Sequence, residues 1–271
     1  MEITKEFFNK YLSVTISAEL QVFDKIKPSI DNSLEAAKQN ILGAAGTAAV
    51  EASPDTPLAN FVKGFACTDA LVTQLRQLDL VLTPTGFGIV SNNTTSPASR
   101  ERVDALEKSL LLARECAYGM ILVGLRSVEG WAASEQAVKN ISSPFYSIYF
   151  VSSFPTQKDY ETWLKMKTII PDADLEIREM IGCFQMDDIM EKVRQGTTDV
   201  VYCDMANLIC EFYRMQYWHS PCCDDKKRYI LQFVEDNLET FSIYKDSKEY
   251  LANHHEGYKN SREKRIFFFG S

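Results

Sequence analysis

Apolar side chains recur at spacings of three and four residues along much of the chain, which is the period of a helix buried on one face. This spacing predicts long amphipathic helices over 58–78 and 198–218. A third strong pattern follows Ser96-Pro97, because serine caps free backbone N–H groups and proline fits the first helical turn. The sequence therefore predicts a mainly α-helical protein, built as a helical bundle.

Weaker helical patterns occupy much of the remaining sequence. They cover residues 3–14, 31–42, 132–138, 156–167, 173–181, 186–194, 224–238 and 246–253. Gly43 is a plausible helix stop signal. The small residues of 44–57, with two prolines, predict a loop or a frayed helix end after it.

Three segments carry a pattern typical of β-strands. Residues 79–91 place two β-branched, apolar runs around Pro84-Thr85-Gly86-Phe87-Gly88, which indicates a hairpin with a loop of more than two residues. Aromatic and β-branched residues also fill 145–151, and the run 265–269 is strongly apolar. We therefore predict a small β component: a hairpin near 79–91 and strands near 145–151 and 265–269.

The segment 140–144 separates two helical halves. The predicted organisation is an N-terminal helical half (1–140) with the hairpin and a C-terminal helical half (141–271) with the terminal strand, and a single compact unit is the alternative. Residues 23–43 and 163–182 share an aromatic-x-Lys-x-Lys run that leads into a helix ending at glycine. This internal echo raises a further alternative, that the two halves are duplicated helical units.

Composition and charge exclude several classes of protein. The 271 residues include 29 Lys and Arg against 37 Asp and Glu, a formal net charge of −8. A protein held to nucleic acid by a basic surface needs clustered positive charge to neutralise phosphates. No apolar run approaches the roughly 20 residues that span a bilayer, and no signal peptide is recognisable. We therefore expect a protein without membrane contact that folds in a reducing cytoplasm.

Cysteine and histidine offer the sharpest candidates for chemistry. His219, Cys222 and Cys210 are potential zinc ligands, and His219 could activate the thiol of Cys222 or Cys223. However, adjacent cysteines do not fit the usual ligand spacing, and the seven cysteines include no C-x-x-C motif. We predict buried free thiols, with no catalytic residue, no metal and no cofactor. A metal- or thiol-dependent enzyme centred on His219, Cys222 and Cys223 is the alternative.

The predicted hairpin and terminal strand are the candidate contact surfaces. Consecutive phenylalanines alternate between the faces of a strand, so a strand containing Phe267, Phe268 and Phe269 must be covered on both sides. Pairing with 145–151 would cover it, and so would strand addition to a neighbouring chain. The predicted partner-contacting residues are Thr85, Phe87, Ile89, Ile266, Phe267, Phe268 and Phe269, together with the loop 44–57.

The segments LDLVLTPTGFGIVSN (78–92) and SPASRERVDAL (96–106) resemble a family of uncharacterised proteins encoded by tailed bacteriophages and prophages. The F-x-x-I-K-P pattern at 23–28 and the Y-x-N and IFFFG patterns within 258–270 extend the resemblance over most of the chain. Such proteins look like head–tail connector or head-completion proteins of the virion neck. The resemblance implies a mostly helical adaptor with a small β component, and it supplies no catalytic residues.

The function implied by the resemblance is a non-enzymatic virion structural protein. The chain would form a homo-oligomeric ring between portal and tail, bind the portal protein and tail or neck proteins, and be made in the cytoplasm of the host bacterium. DNA would pass through the lumen without specific binding, which the negative charge permits. A tail-completion or stopper protein is the nearest alternative.

Overall fold

The computed structural model describes residues 1–12, 20–78, 80–83, 86–89, 99–151 and 159–254. Helices account for most of these residues, so the mainly α-helical class is confirmed. The helices are α1 (Lys5–Tyr11), α2 (Leu20–Ala37), α3 (Gly43–Ala52), α4 (Pro57–Gln74), α5 (Arg100–Leu125), α6 (Glu135–Asn140), α7 (Tyr160–Ile181), α8 (Cys183–Gln195), α9 (Val200–Tyr217), α10 (Cys223–Asp236), α11 (Ser242–Lys245) and α12 (Lys248–Asn253). Within the described ranges, no helix is long and apolar enough to cross a membrane.

The first long helices pack on one another because their apolar stripes face inward. Helix α4 packs most extensively on α5 and α2. Its buried positions include Ala59, Val62 and Ala66, spaced at three and four residues, as the sequence pattern predicts. Thr56 caps α4 by accepting a hydrogen bond from the Ala59 N–H at 3.3 Å. The predicted helix over 58–78 is confirmed, and its last turn, Leu75–Gln77, is a 3₁₀ helix.

The later helices form a second set of contacts around α9. Helix α9 packs on α7, α8 and α10. The Tyr213 hydroxyl of α9 donates a hydrogen bond to the Asp174 Oδ1 of α7 at 2.8 Å. The predicted helices over 186–194, 198–218 and 224–238 are confirmed with shifts of a few residues. A single contiguous hydrophobic core includes buried residues from both sets of helices.

The loop or frayed helix end predicted for 44–57 is wrong, because most of this segment is the regular helix α3. A π-helical turn, Lys38–Leu42, joins α2 to α3, and Gly43 adopts a φ of +61° between them. Alanine is the best helix former, and small residues allow close packing. A Cβ at Gly46 would lie 2.7 Å from Leu125 Cδ2 of α5. The small residues therefore mark a tight helix contact.

The strand predicted for 145–151 is also wrong, because this segment contains the 3₁₀ turn Ile148–Phe150. Its aromatic residues are buried among helices: the Phe145 ring centroid lies 6.0 Å from that of Trp163 and 6.3 Å from that of Tyr213. A short apolar run indicates burial, but it does not distinguish a strand from another buried segment.

Helix α7 replaces the two helices predicted over 156–167 and 173–181. Pro171 lies inside it, on an exposed turn. Proline removes its own N–H donor and usually kinks or breaks a helix interior, yet α7 continues through Pro171 to Ile181. The chain reverses only at Gly182, whose φ is +89°.

The hairpin region contains two short antiparallel strands, β1 (Leu80–Thr83) and β2 (Gly86–Ile89). Leu80 lies opposite Ile89, and Thr83 opposite Gly86. The predicted strand at 265–269 lies outside the described residues. Gly43 and Gly182, which correspond in the internal echo, both have positive φ between successive helices. The domain boundary near 140 and the duplication of helical units stay predictions.

One buried carboxylate links α5 to α7. Glu115, whose side chain is 10% exposed, accepts hydrogen bonds from Trp163 Nε1 at 2.8 Å and from Lys167 Nζ at 3.0 Å. Arg114 Nη2 lies 3.5 Å from its other oxygen. The Lys167 ammonium also stands 4.6 Å from the centroid of the Trp163 ring. A buried charge is tolerated when it is paired and hydrogen-bonded, so this network fixes how the two helices meet.

We expect Glu115→Ala to lower the free energy of unfolding by about 2–3 kcal/mol, because it leaves the buried Trp163 N–H without an acceptor. Urea denaturation followed by circular dichroism measures the change. The matched control is Glu129→Ala, an exposed glutamate with no ion pair in the described part of the chain. The control should change stability by less than about 0.5 kcal/mol. An equally small effect at Glu115 would contradict the proposed link.

Candidate protein–protein interface

The predicted contact residues of the hairpin fall only partly within the described chain. Phe87 and Ile89 lie in β2, whose backbone is described, whereas Thr85 lies outside the described residues. The two-stranded sheet leaves one edge of each strand unpaired within the described ranges, and an unpaired edge is a template for another strand. Residues 266–269 lie outside the described residues, so the structure does not place them beside the hairpin.

An exposed apolar surface that the sequence did not predict lies where α6, α8 and α11 approach. Phe184 is 80% exposed in the first turn of α8, with Val138 at 53% and Ile243 at 41%. We call these three residues the Phe184 face. A cavity of about 700 Å³ lies on one side, lined by residues 181–185 and 246–249, and one of about 620 Å³ lies on the other. Phe184 and Ile243 line both, so they form a ridge between two grooves.

Polar side chains around the Phe184 face are held by partners within the chain. Arg178 Nε lies 2.6 Å from Asp174 Oδ2, and Arg178 Nη1 lies 2.7 Å from Asp187 Oδ1. Burial lowers the pKa of Arg178, but hydrogen bonds to Asp187 and Asp174 outweigh it and raise the pKa overall. Asp188 accepts a hydrogen bond from the Tyr202 hydroxyl at 2.6 Å. The polar residues around the Phe184 face are therefore charged and paired with one another. Phe184 itself is not covered by any described residue.

A large exposed aromatic side chain surrounded by polar residues is the usual composition of a protein-binding surface. Burying one phenylalanine contributes roughly 1.5–3 kcal/mol. This surface could not be predicted from the sequence, because Phe184 belongs to no apolar stripe and its neighbours on the surface are distant in sequence. A phenylalanine two residues after the helix-ending Gly182 was its sequence signal.

The candidate thiol and histidine site is spread over the connection between α9 and α10. His219 has a φ of +48° and is exposed, and Cys222 is exposed. Burial raises the pKa of Cys223, which disfavours the thiolate that a nucleophile requires. Among the described residues, no group of three His, Cys, Asp or Glu side chains is arranged to hold a metal ion.

The other cysteines are free thiols in different environments. Cys67 in α4 and Cys210 in α9 are buried, and burial raises the pKa of each to about 12. The Cys203 thiol donates a hydrogen bond to the Thr197 carbonyl at 3.4 Å. Cys183 and Cys222 are exposed. The prediction of buried free thiols is confirmed for Cys67 and Cys210, whose thiols are protected by burial, but the predicted burial is wrong for Cys183 and Cys222.

We expect iodoacetamide to alkylate Cys183 and Cys222 in the folded protein and to leave Cys67 and Cys210 unmodified. A thiol with a pKa of about 12 stays protonated at moderately alkaline pH, so raising the pH within the folded range should not expose either thiol to reaction. Peptide mass spectrometry before and after unfolding measures the four sites. Rapid modification of Cys210 in the folded protein would contradict its placement in the core.

Comparison with known proteins gives one partial match. A model described as a family of unknown function (DUF6712) matches residues 21–141, less than half of the chain. The matched segment runs through α2 to α6 and ends beside the boundary predicted at 140, so it contains Val138 but neither Phe184 nor Ile243. No curated protein and no solved structure matches the chain.

Proposed function

We propose that the chain is a non-enzymatic virion structural protein, a head–tail connector or adaptor subunit that forms a homo-oligomeric ring between portal and tail. The observation that carries the proposal is the Phe184 face, an apolar ridge between two grooves on an otherwise well-packed helical protein. The resemblance of 78–92 and 96–106 to phage and prophage proteins supplies the class of assembly. A tail-completion or stopper protein would use the same surfaces at a different level of the neck.

A ring requires two different patches on each subunit, because neighbouring copies meet head to tail. We assign the Phe184 face as one patch. The hairpin, with Thr85, Phe87 and Ile89, and the predicted strand at 265–269 supply the other as the small β component of the protein. In this arrangement, the Phe184 face of one copy contacts the unpaired strand edge of the hairpin on the next copy.

The charge distribution suits a ring through which DNA passes without binding. The net charge is −8, and many basic side chains in the described chain are already engaged by carboxylates. Arg76 contacts Asp104 and Glu107, Lys108 lies 2.7 Å from Glu161, and Lys226 lies 2.7 Å from Glu211. Basic groups paired in this way are not free to neutralise phosphates.

We expect Phe184→Asp to weaken self-association about tenfold to a hundredfold, because each contact loses one buried phenylalanine. An acidic residue in the first turn of a helix is favourable, so the variant should fold normally. Sedimentation velocity over a range of concentrations measures association. Trp218→Ser, which alters another exposed aromatic residue, is the matched control and should associate as the unmodified protein does. Normal assembly of Phe184→Asp would remove this face from the interface.

Deletion of residues 265–271 should also impair ring assembly, since it removes the apolar run proposed to contact a neighbouring chain. Circular dichroism and urea denaturation would establish that the shortened protein is folded. Its assembly with the portal and tail proteins would be followed by electron microscopy. If the shortened protein folds and assembles normally, strand addition through this segment is wrong.

A further inference from the structure

The groove between Phe184 and the start of α12 combines apolar side chains with two acidic residues. It has a volume of about 700 Å³ and is lined by residues 181–185, Ile243 and residues 246–249. We call it the α12 groove. Phe184 and Ile243 line it with side chains that are exposed in the described chain. Its volume lies within the range of about 300–1,000 Å³ that is typical of ligand pockets, so it has room for more than one aromatic side chain.

The two carboxylates that line the α12 groove are only partly balanced by a cation. Asp246 is exposed and has no ion pair in the described part of the chain. Glu249 Oε1 lies 3.8 Å from Nζ of Lys248, whose side chain is 91% exposed, and an ion pair so open to solvent contributes little. A Cβ added to Gly182 would lie 3.2 Å from Glu249 Oε2, so this carboxylate stands beside the segment that carries Phe184. The groove therefore offers acidic groups next to apolar ones.

The sequence that follows α12 has the complementary composition. Residues 255–271 contain four basic and two acidic residues, although the whole chain has a net charge of −8. Lys264 and Arg265 directly precede the apolar run Ile266 to Phe269. Removing these apolar side chains from water is favourable. A basic pair followed by three aromatic rings matches a groove in which carboxylates stand beside exposed apolar side chains.

The described part of the chain ends one short helix away from the α12 groove. Helix α12 starts at the groove, and its six residues span about 9 Å. His254 follows it and is held in place, because its ring stacks on that of Tyr250 with a centroid distance of 4.1 Å. Eleven residues, 255–265, separate His254 from Ile266, and an extended chain of that length reaches about 35–40 Å. The apolar run can therefore return to the groove of its own chain.

We propose that, in the unassembled subunit, residues 264–270 dock in the α12 groove of their own chain. The phenylalanines lie against Phe184 and Ile243, and the basic pair lies beside Asp246 and Glu249. The effective concentration of a segment on so short a tether is in the millimolar range, so its own groove binds it in preference to that of a second copy at lower concentration.

The docked segment covers Phe184 and so regulates the surface assigned to ring assembly. Subunits would assemble by exchanging this contact for the same contact on a neighbouring copy, as in domain swapping. Only this consequence rests on the proposed function, since docking within one chain requires no ring.

The first arm of the test is cross-linking of the full-length protein with a carbodiimide, which joins a lysine amine to a neighbouring carboxylate. Unlabelled and ¹⁵N-labelled protein are unfolded together in urea and refolded at about 1 µM, far below the effective concentration of a tethered segment. Lys264 should be joined to Asp246 or Glu249. Mass spectrometry should find each cross-linked pair of peptides with a single label, because both peptides come from one chain.

The second arm measures alkylation of Cys183, an exposed thiol that lines the α12 groove. Docking should slow its reaction with iodoacetamide without preventing it. Phe267→Ser, Phe268→Ser and Phe269→Ser in one variant should therefore raise the alkylation rate of Cys183 severalfold. The rate at Cys222, which is exposed elsewhere on the chain, should not change.

Charge is tested with two matched variants. Lys264→Gln with Arg265→Gln should also speed alkylation of Cys183, because it removes the basic pair proposed to bind the groove. Lys259→Gln with Arg262→Gln removes the same charge further from the apolar run and should leave the rate unchanged. Urea denaturation would establish that each variant is folded, and the cross-linking arm requires no variant.

The proposal is overturned if Lys264 forms no cross-link to Asp246 or Glu249, or if Cys183 reacts equally fast in the triple serine variant. Cross-linked pairs that combine the two labels would show docking on a second copy, which also overturns it. Single-label pairs would uphold docking even if the protein forms no ring, so the two proposals fail separately.

Discussion

The buried carboxylate of Glu115 is the interaction on which the arrangement of the helices depends. It lies in α5, the longest of the described helices, which packs on α4 and, through Trp163 and Lys167, is held to α7. Helix α7 in turn ends at Ile181, three residues before Phe184. The position of the Phe184 face therefore follows from how α5 meets α7.

The long helices could be predicted because each buries one face, so its apolar residues recur every three or four positions in the sequence. Helices α4 and α9 are of this kind. The segments 44–57 and 145–151 could not be assigned correctly for opposite reasons. In the first, small residues typical of loops serve a close approach of helices, as Gly46 does against Leu125. In the second, aromatic residues typical of strands pack individually between helices.

The candidate interface was less predictable than the fold. The residue type alone does not distinguish an exposed phenylalanine from a buried one. Val138, Phe184 and Ile243 come together only through the packing of α6, α8 and α11. Conversely, His219, Cys222 and Cys223 are close in sequence, yet with exposed and partly buried side chains they form no metal-binding group among the described residues.

A connector needs rigid subunits, two complementary patches and a lumen that does not retain DNA. The packed helices, the exposed Phe184 face and the paired basic side chains are consistent with those requirements. The most direct test locates the chain in purified phage particles by cryo-electron microscopy, with copy number from quantitative mass spectrometry. A connector should appear as a ring of fixed copy number between portal and tail. Absence from the particles, or a position in the capsid shell, would contradict a connector role.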